Sequence, residues 1–317
     1  MTGVEARAPY RGRFAPSPTG PLHFGSLVAA LGSCLDARAQ CGAWLLRIED
    51  LDRARAAPDA TQRILQTLES LGFEWDGDAL CQSGRIDLYR DALARLQRDG
   101  RVFPCACSRS EVEARSRRRS TDGGALYPGT CRDGLPNGTV ARSWRMRVPD
   151  REFSFIDRVL GEIRQNPARE VGDFVLFRAD GEFAYQLAVV VDDAAQGVNA
   201  VVRGADLVDS TVRQIHLQEC LGLPTPTYAH LPVAVDRAGR KLSKQTRAKP
   251  IDASRGAAVL VEALRFLGQT LPEDLARAPL SEFWSPAVAG WSIRHVPKKR
   301  AIPLTPLIPL IPFIEGA

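Results

Sequence analysis

Lysine is nearly missing from this chain. Five of its 42 basic residues are lysine, and none of those five precedes position 241. In so arginine-biased a sequence, a retained lysine reads as a place for a compact point charge on a flexible stem, where a planar guanidinium does not serve. Lys241, Lys244 and Lys249 fall close together, and the first two are candidates for holding an anion. Also missing is any apolar run long enough and free enough of proline to cross a bilayer. Residues Met1 to Arg13 lack the apolar core of a secretory leader. The chain is therefore expected in the cytoplasm with its seven cysteines reduced; an odd count fits poorly with a closed disulfide set. Composition excludes disorder: 44% hydrophobic and 25% charged residues are ordinary for a protein that buries a core. A length of 317 residues suggests two domains, or one with an insertion. The net charge of +5 is compatible with an RNA partner without requiring one. No repeat of fixed period is present.

Hydrophobic spacing orders the elements. Tyr10 to Ala15 reads as a strand running into Pro16-Ser17-Pro18-Thr19-Gly20-Pro21, where proline forbids a helix. Helical spacing follows from Phe24 to Ala39, then a strand from Ala43 to Ile48, an amphipathic helix from Pro58 to Leu71 and another from Ile86 to Asp99. Strand and helix alternating at this pace predict an α/β domain with a parallel sheet. The pattern breaks near Arg101 into cysteines, an arginine run (Arg115, Arg117, Arg118, Arg119) and turns. Strand-like pieces follow at Ser143 to Val148 and Phe153 to Ile163, with a hairpin from Asp173 to Tyr185 turning at Ala179-Asp180-Gly181. Helical spacing returns from Gln186 to Ala195. A strand, Ala200 to Arg203, precedes a helix capped by Ser210 or Thr211 and stopped at Gly222. His230 to Val235 leads to the lysine cluster, and a helix runs from about Gly256 to Gly268. Pro303, Pro306, Pro309 and Pro312 then recur at the polyproline II period; a frayed tail is expected there in preference to a docking peptide.

Two strings carry chemistry. Pro21-Leu22-His23-Phe24-Gly25-Ser26 lies between a first strand and the helix it feeds, where α/β folds bind nucleotides and where backbone N–H groups favour phosphate. His23 can donate to a phosphate oxygen, and Gly20 and Gly25 permit close approach. Lys241-Leu242-Ser243-Lys244-Gln245 places two ammonium groups where a polyphosphate can be held, and phosphoryl or nucleotidyl transfer needs positioned cations more than covalent help. Taken singly, a lone histidine is usually structural and a basic pentamer a solvated loop.

Together they say more. Arg13 to Gly20 with His23-Phe24-Gly25-Ser26 resembles the first signature of class I aminoacyl-tRNA synthetases of the glutamyl branch, and Lys241 to Gln245 resembles the second. Arg47 to Asp52 and Val202 to Asp206 match further blocks of that branch, in order. Only about seventy residues follow Gln245, too few for an anticodon-binding portion, so the chain resembles the truncated paralogues, the glutamyl-Q tRNA(Asp) synthetase family. The signature departs at Ser26, where most class I enzymes carry a second histidine, and at Leu242 and Gln245.

The resemblance implies activation of L-glutamate with ATP and Mg²⁺, then transfer to the queuosine base in the anticodon of tRNA(Asp). Arg13, Phe14, Ala15, Pro16, Ser17, Glu49, Tyr185 and Arg203 would hold glutamate, with guanidinium forks for its carboxylates and Glu49 for its ammonium. His23, Gly25, Lys241 and Lys244 would meet ATP, with His23 and Lys244 the catalytic pair. Cys105, Cys107, Tyr127 and Cys131 would hold a structural Zn²⁺, against the alternative of reduced, metal-free thiols; nineteen residues separate Cys107 from Tyr127. The implied fold is a Rossmann-like catalytic domain split into residues 10–100 and 186–240, with an insertion at 101–185 carrying the zinc site and an acceptor-binding role. A lysine loop with a small stem-contact-like helical region spans 241–300, and a proline-rich tail, expected to be disordered, spans 301–317. A monomer without membrane association is expected. The competing functions are a short synthetase charging a tRNA 3′ end and an inactive RNA-binding paralogue.

Overall fold

The computed structural model describes residues 8–121, 123–135, 137–236, 239 and 249–304. The lysine string at 241–245 and the tail from 305 onward lie outside these residues. No helix among the described residues is long and apolar enough to cross a membrane.

The first half builds as the spacing predicts. Strand β1 (Arg11–Phe14), helix α1 (Phe24–Arg38), β2 (Ala43–Ile48), α2 (Ala60–Ser70), β3 (Leu80–Cys81) and α3 (Ile86–Arg98) follow in order. The three strands pair in parallel in the order β1-β2-β3. Helix α1 is buried on nearly every side from Leu27 to Ala37, because sheet and C-terminal helices enclose it. Gly32 permits that enclosure: a Cβ there would stand 2.5 Å from the Leu231 side chain.

The middle contains β4 (Val102–Cys105), α4 (Arg109–Arg115), β5 (Ser143–Met146), β6 (Phe153–Asp157), β7 (Gly161–Gln165), a single turn α5 (Pro167–Glu170) and β8 (Phe174–Phe177). Strands β4, β5 and β8 form a separate antiparallel sheet. Phe153 to Ile163, expected as one strand-like piece, is instead the hairpin β6–β7, and Gly161 supplies its positive φ of 85°. That hairpin joins the main sheet, so residues 101–185 are shared between two sheets. The expected hairpin after Asp173 is present, with Phe177 bridging Phe183.

The core then resumes with α6 (Tyr185–Ala195), β9 (Ala200–Gly204), α7 (Val208–Leu221), β10 (Thr227–Leu231) and β11 (Val233–Val235). Ser210 and Thr211 do not cap α7; they lie in its first turn, and the helix opens three residues before Thr211. Its end matches expectation, with Gly222 in the left-handed conformation. Strands β9, β10 and β6 run parallel. The two sheets meet where the Asn199 backbone N–H donates to the Arg11 carbonyl (3.1 Å), so β1 and β9 stand side by side with their carboxyl ends together. In a doubly wound sheet this is the switch point where ligands bind.

Helices α8 (Ala257–Phe266) and α9 (Leu280–Gly290) complete the chain with β12 (Ala301–Pro303). Helix α9 was not legible in the sequence, since Pro286 sits inside it. The first residues of the expected tail, Ala301–Pro303, are not frayed: they pair in parallel with β11.

Candidate active site

A cavity of about 540 Å³ opens at the β1–β9 switch point. Arg13, Phe14, Ala15, Pro16, Ser17, Glu49, Tyr185 and Arg203 all line it, as do His23 and Gly25. Residues named from sequence strings up to 190 positions apart therefore share one cleft. The local reasons are simple. Arg13 lies near the carboxyl end of β1 and Arg203 near that of β9, Glu49 follows the last residue of β2, and Tyr185 opens α6.

His23 caps α1. Its Nδ1 accepts the Ser26 backbone N–H at 3.3 Å, which leaves Nε2 as the protonated nitrogen of the neutral ring. The turn before the helix thus presents a donor nitrogen beside the positive end of a buried helix. The lysine string departs after Val235 and the described chain resumes at Lys249. Both flanks adjoin this turn: Ala234 lines the cavity, the Ile251 backbone N–H donates to the Leu22 carbonyl (3.0 Å), and His23 bridges Pro250.

The two guanidinium groups are held differently. Arg13 donates to both oxygens of Asp193, at 3.1 and 3.4 Å. Asp193 also pairs with the fully buried Arg47 at 2.7 Å, and Arg47 lies 3.6 Å from Glu49. Glu49 Oε1 is buried without a hydrogen-bond partner among the described residues. Burial raises the Glu49 carboxyl to about 7 against the lowering influence of Arg47 and Arg13. Arg203 has no carboxylate partner among the described residues. It donates from Nε to His230 Nε2 (3.1 Å), from Nη1 to Gln214 (2.8 Å) and from Nη2 to Thr211 Oγ1 (2.8 Å). Burial raises the Tyr185 phenol. A buried guanidinium without a carboxylate partner among the described residues, in one cleft with a carboxylate oxygen that no hydrogen bond satisfies, suits a zwitterion with an added carboxylate. Sequence reasoning passed over Asp193, Arg47, His230 and Asp157; the adjacent acids Asp192-Asp193 inside an apolar helix were the available signal.

A second cluster lies in the insertion sheet. The Sγ atoms of Cys105, Cys107 and Cys131 lie within 4.8 Å of one another. The Tyr127 hydroxyl lies 3.4 Å from Cys105 Sγ and 4.0 Å from Cys107 Sγ. The long spacing before Tyr127 is absorbed by α4, which a Ser108–Glu111 capping box starts, and by the turn closed at Arg119 and Ala125. Three thiols converging with one phenol match the tetrahedral donor set of a structural zinc.

Residues 10–270 match the family described as tRNA synthetases class I (E and Q), catalytic domain. The chain is 59% identical over 295 residues to glutamyl-Q tRNA(Asp) synthetase of Dechloromonas aromatica (strain RCB), covering 93% of this chain and 98% of that protein. It is 56% identical to the protein of the same description from Thiobacillus denitrificans (strain ATCC 25259 / T1), covering 90% and 94%. The fold superposes on a crystal structure of glutamate-tRNA synthetase from Elizabethkingia anophelis with a TM-score of 0.76 at 25% identity, covering 94% of this chain and 68% of that one. The chain belongs to the class I tRNA synthetases of the glutamyl and glutaminyl type.

Proposed function

We propose that this enzyme activates L-glutamate with ATP and transfers the glutamyl group to the queuosine base in the anticodon of tRNA(Asp). The observation that carries the reading is the single cleft joining Arg13, Glu49, Tyr185 and Arg203 to the His23 turn. Similarity over nearly the whole length of relatives described as glutamyl-Q tRNA(Asp) synthetases supports the acceptor. A cytoplasmic location fits an enzyme of this family, and the described cleft is lined by one chain alone, as a monomer would need.

In this reading, Arg13 and Arg203 take the two carboxylates of glutamate and Glu49 its ammonium. Ser17 and Tyr185 add hydroxyl contacts, and the backbone from Phe14 to Pro16 forms the floor. ATP lies over His23 and Gly25, with Lys241 and Lys244 on its phosphates and Mg²⁺ accompanying it. A glutamate α-carboxylate oxygen attacks the α-phosphorus, the bond to the bridging oxygen of pyrophosphate breaks, and a mixed anhydride forms. The acceptor's nucleophile then displaces AMP from the carbonyl carbon. No enzyme nucleophile takes part; the protein supplies position and charge. Cys105, Cys107, Tyr127 and Cys131 would hold Zn²⁺, which would tie β4 to the loop carrying Tyr127 and Cys131.

The test is radiolabelled glutamate transfer to tRNA(Asp) with and without queuosine. Transfer only to the queuosine-containing tRNA is expected, and equal transfer to both would reject the acceptor. Lys244→Ala is expected to lower glutamate-dependent ATP–pyrophosphate exchange strongly while glutamate binding, read by calorimetry, persists. Unchanged exchange would reject the role of Lys244.

A further inference from the structure

Behind Arg203 lies a buried chain of hydrogen bonds that the reaction scheme above does not use. Asp157 ends β6, and one of its oxygens accepts the backbone N–H groups of Val159 (3.0 Å), Leu160 (2.8 Å) and His230 (3.2 Å). Its other oxygen lies 2.6 Å from His230 Nδ1. Both side chains are fully buried. A carboxylate can only accept, so Nδ1 carries the proton and Nε2 keeps its lone pair. That lone pair faces Arg203 Nε (3.1 Å), with the Thr211 hydroxyl 3.2 Å away. Burial and the Arg203 guanidinium hold His230 down to about 4 against the raising influence of Asp157, so the ring is neutral at working pH.

We propose that His230, oriented by Asp157, is a positioning residue that fixes the Arg203 guanidinium and leaves its charge uncompensated for a substrate carboxylate. The inference rests on the reading that Arg203 meets glutamate. A carboxylate in direct contact with Arg203 would fix it equally well and neutralise it. The imidazole transmits the orientation of Asp157 through a neutral ring, and Gln214 and Thr211 are likewise neutral acceptors. The buried cation is thereby left to be completed by an anion from the cleft.

Asp157→Asn tests the arrangement. The three backbone donors keep the amide oxygen on their side, so the amide nitrogen faces Nδ1 and drives the proton to Nε2. Two donors then oppose each other at Arg203 Nε. The KM for glutamate is expected to rise about tenfold to a hundredfold, the size of a lost charge-assisted hydrogen bond, with kcat changed less and the KM for ATP within twofold. His230→Ala is expected to behave similarly, and His230→Gln to recover most of the loss, since its amide accepts from Arg203 and donates to Asp157. Imidazole ¹⁵N spectra are expected to show Nδ1 protonated in the unaltered enzyme and Nε2 protonated in Asp157→Asn. A protonated Nε2 in the unaltered enzyme would overturn the proposal. So would a glutamate KM within twofold in folded Asp157→Asn and His230→Ala, or equal rises in both KM values. No glutamate-dependent exchange by the unaltered enzyme would overturn the glutamate reading itself, a result distinguishable from all of these.

Discussion

The two walls of the cleft solve one problem in opposite ways. On the β1–β2 side the cations are ion-paired: Arg13 and Arg47 share Asp193, and Arg47 reaches toward Asp192 and Glu49. On the β9–β10 side Arg203 is held by an imidazole, an amide and a hydroxyl. The ionic wall needs its charges to stay folded, because removing one partner strands another in low dielectric. The other wall can lose its cation and leave behind neutral hydrogen-bonding groups and Asp157, whose carboxylate keeps its four donors. Stability and substrate capture should therefore separate between the walls.

The largest effect should come from Arg203→Gln. Loss of the uncompensated guanidinium is expected to lower kcat/KM for glutamate by about 10²- to 10³-fold, the range for removing a buried charge partner. Thermal unfolding should shift little. A large fall in melting temperature with intact glutamate kinetics in the surviving fraction would reverse the assignment of the walls.

Asp193→Asn addresses the ionic wall. It leaves Arg13 and Arg47 short of their shared carboxylate, and a destabilisation of about 3 kcal/mol is expected in urea unfolding. Arg47→Met in the same background should restore part of it. If Asp193→Asn unfolds no more easily than the unaltered protein, the network on that side is not structural.

Next in size is a pH effect confined to the ionic wall. The Glu49 carboxyl is raised to about 7, chiefly by burial. Below that pH it is protonated and loses its attraction for the substrate ammonium; above it the carboxylate is available. Glutamate kcat/KM should fall about tenfold per pH unit below about 7. The profile should flatten in Glu49→Gln, at the lower value. A profile identical in both proteins would remove Glu49 from the ammonium site.

How much of this was legible depended on whether partners were near in sequence. The His23 turn, the Gly222 stop and the helices from Phe24 and Ile86 follow from local punctuation and spacing. The cleft residues were placed through resemblance of motifs, since Glu49 and Arg203 alone suit an internal ion pair equally well. The Asp157–His230 contact joins residues 73 positions apart, and no local pattern marks it. Phe153 to Ile163 hid its turn because Arg158, Val159 and Leu160 carry no turn signal; only the flanking Asp157, whose side chain accepts from Val159 and Leu160, and Gly161 do. Thr211 looked like a cap because Ser and Thr favour that place, yet its hydroxyl is used by Arg203.

The smallest effect on activation should come from outside the cleft. Cys105 is buried, and two neighbours act on its thiol: burial raises it, but hydrogen bonds with Tyr127 and Arg145 outweigh this and lower it. Burial and the neighbouring sulfurs raise Cys107 to about 11, and burial raises the Tyr127 phenol, so metal binding must displace protons there and should weaken as pH falls. One zinc per chain is expected by elemental analysis, lost in Cys105→Ser. The cysteine cluster and the cleft belong to different sheets, β4-β5-β8 and the parallel core. Glutamate-dependent exchange should therefore stay within a few-fold in Cys105→Ser, while tRNA glutamylation falls further if the insertion binds the acceptor, as we propose. Equal loss in both assays would mean that the insertion sheet supports the cleft as well, and that the two walls are not self-sufficient.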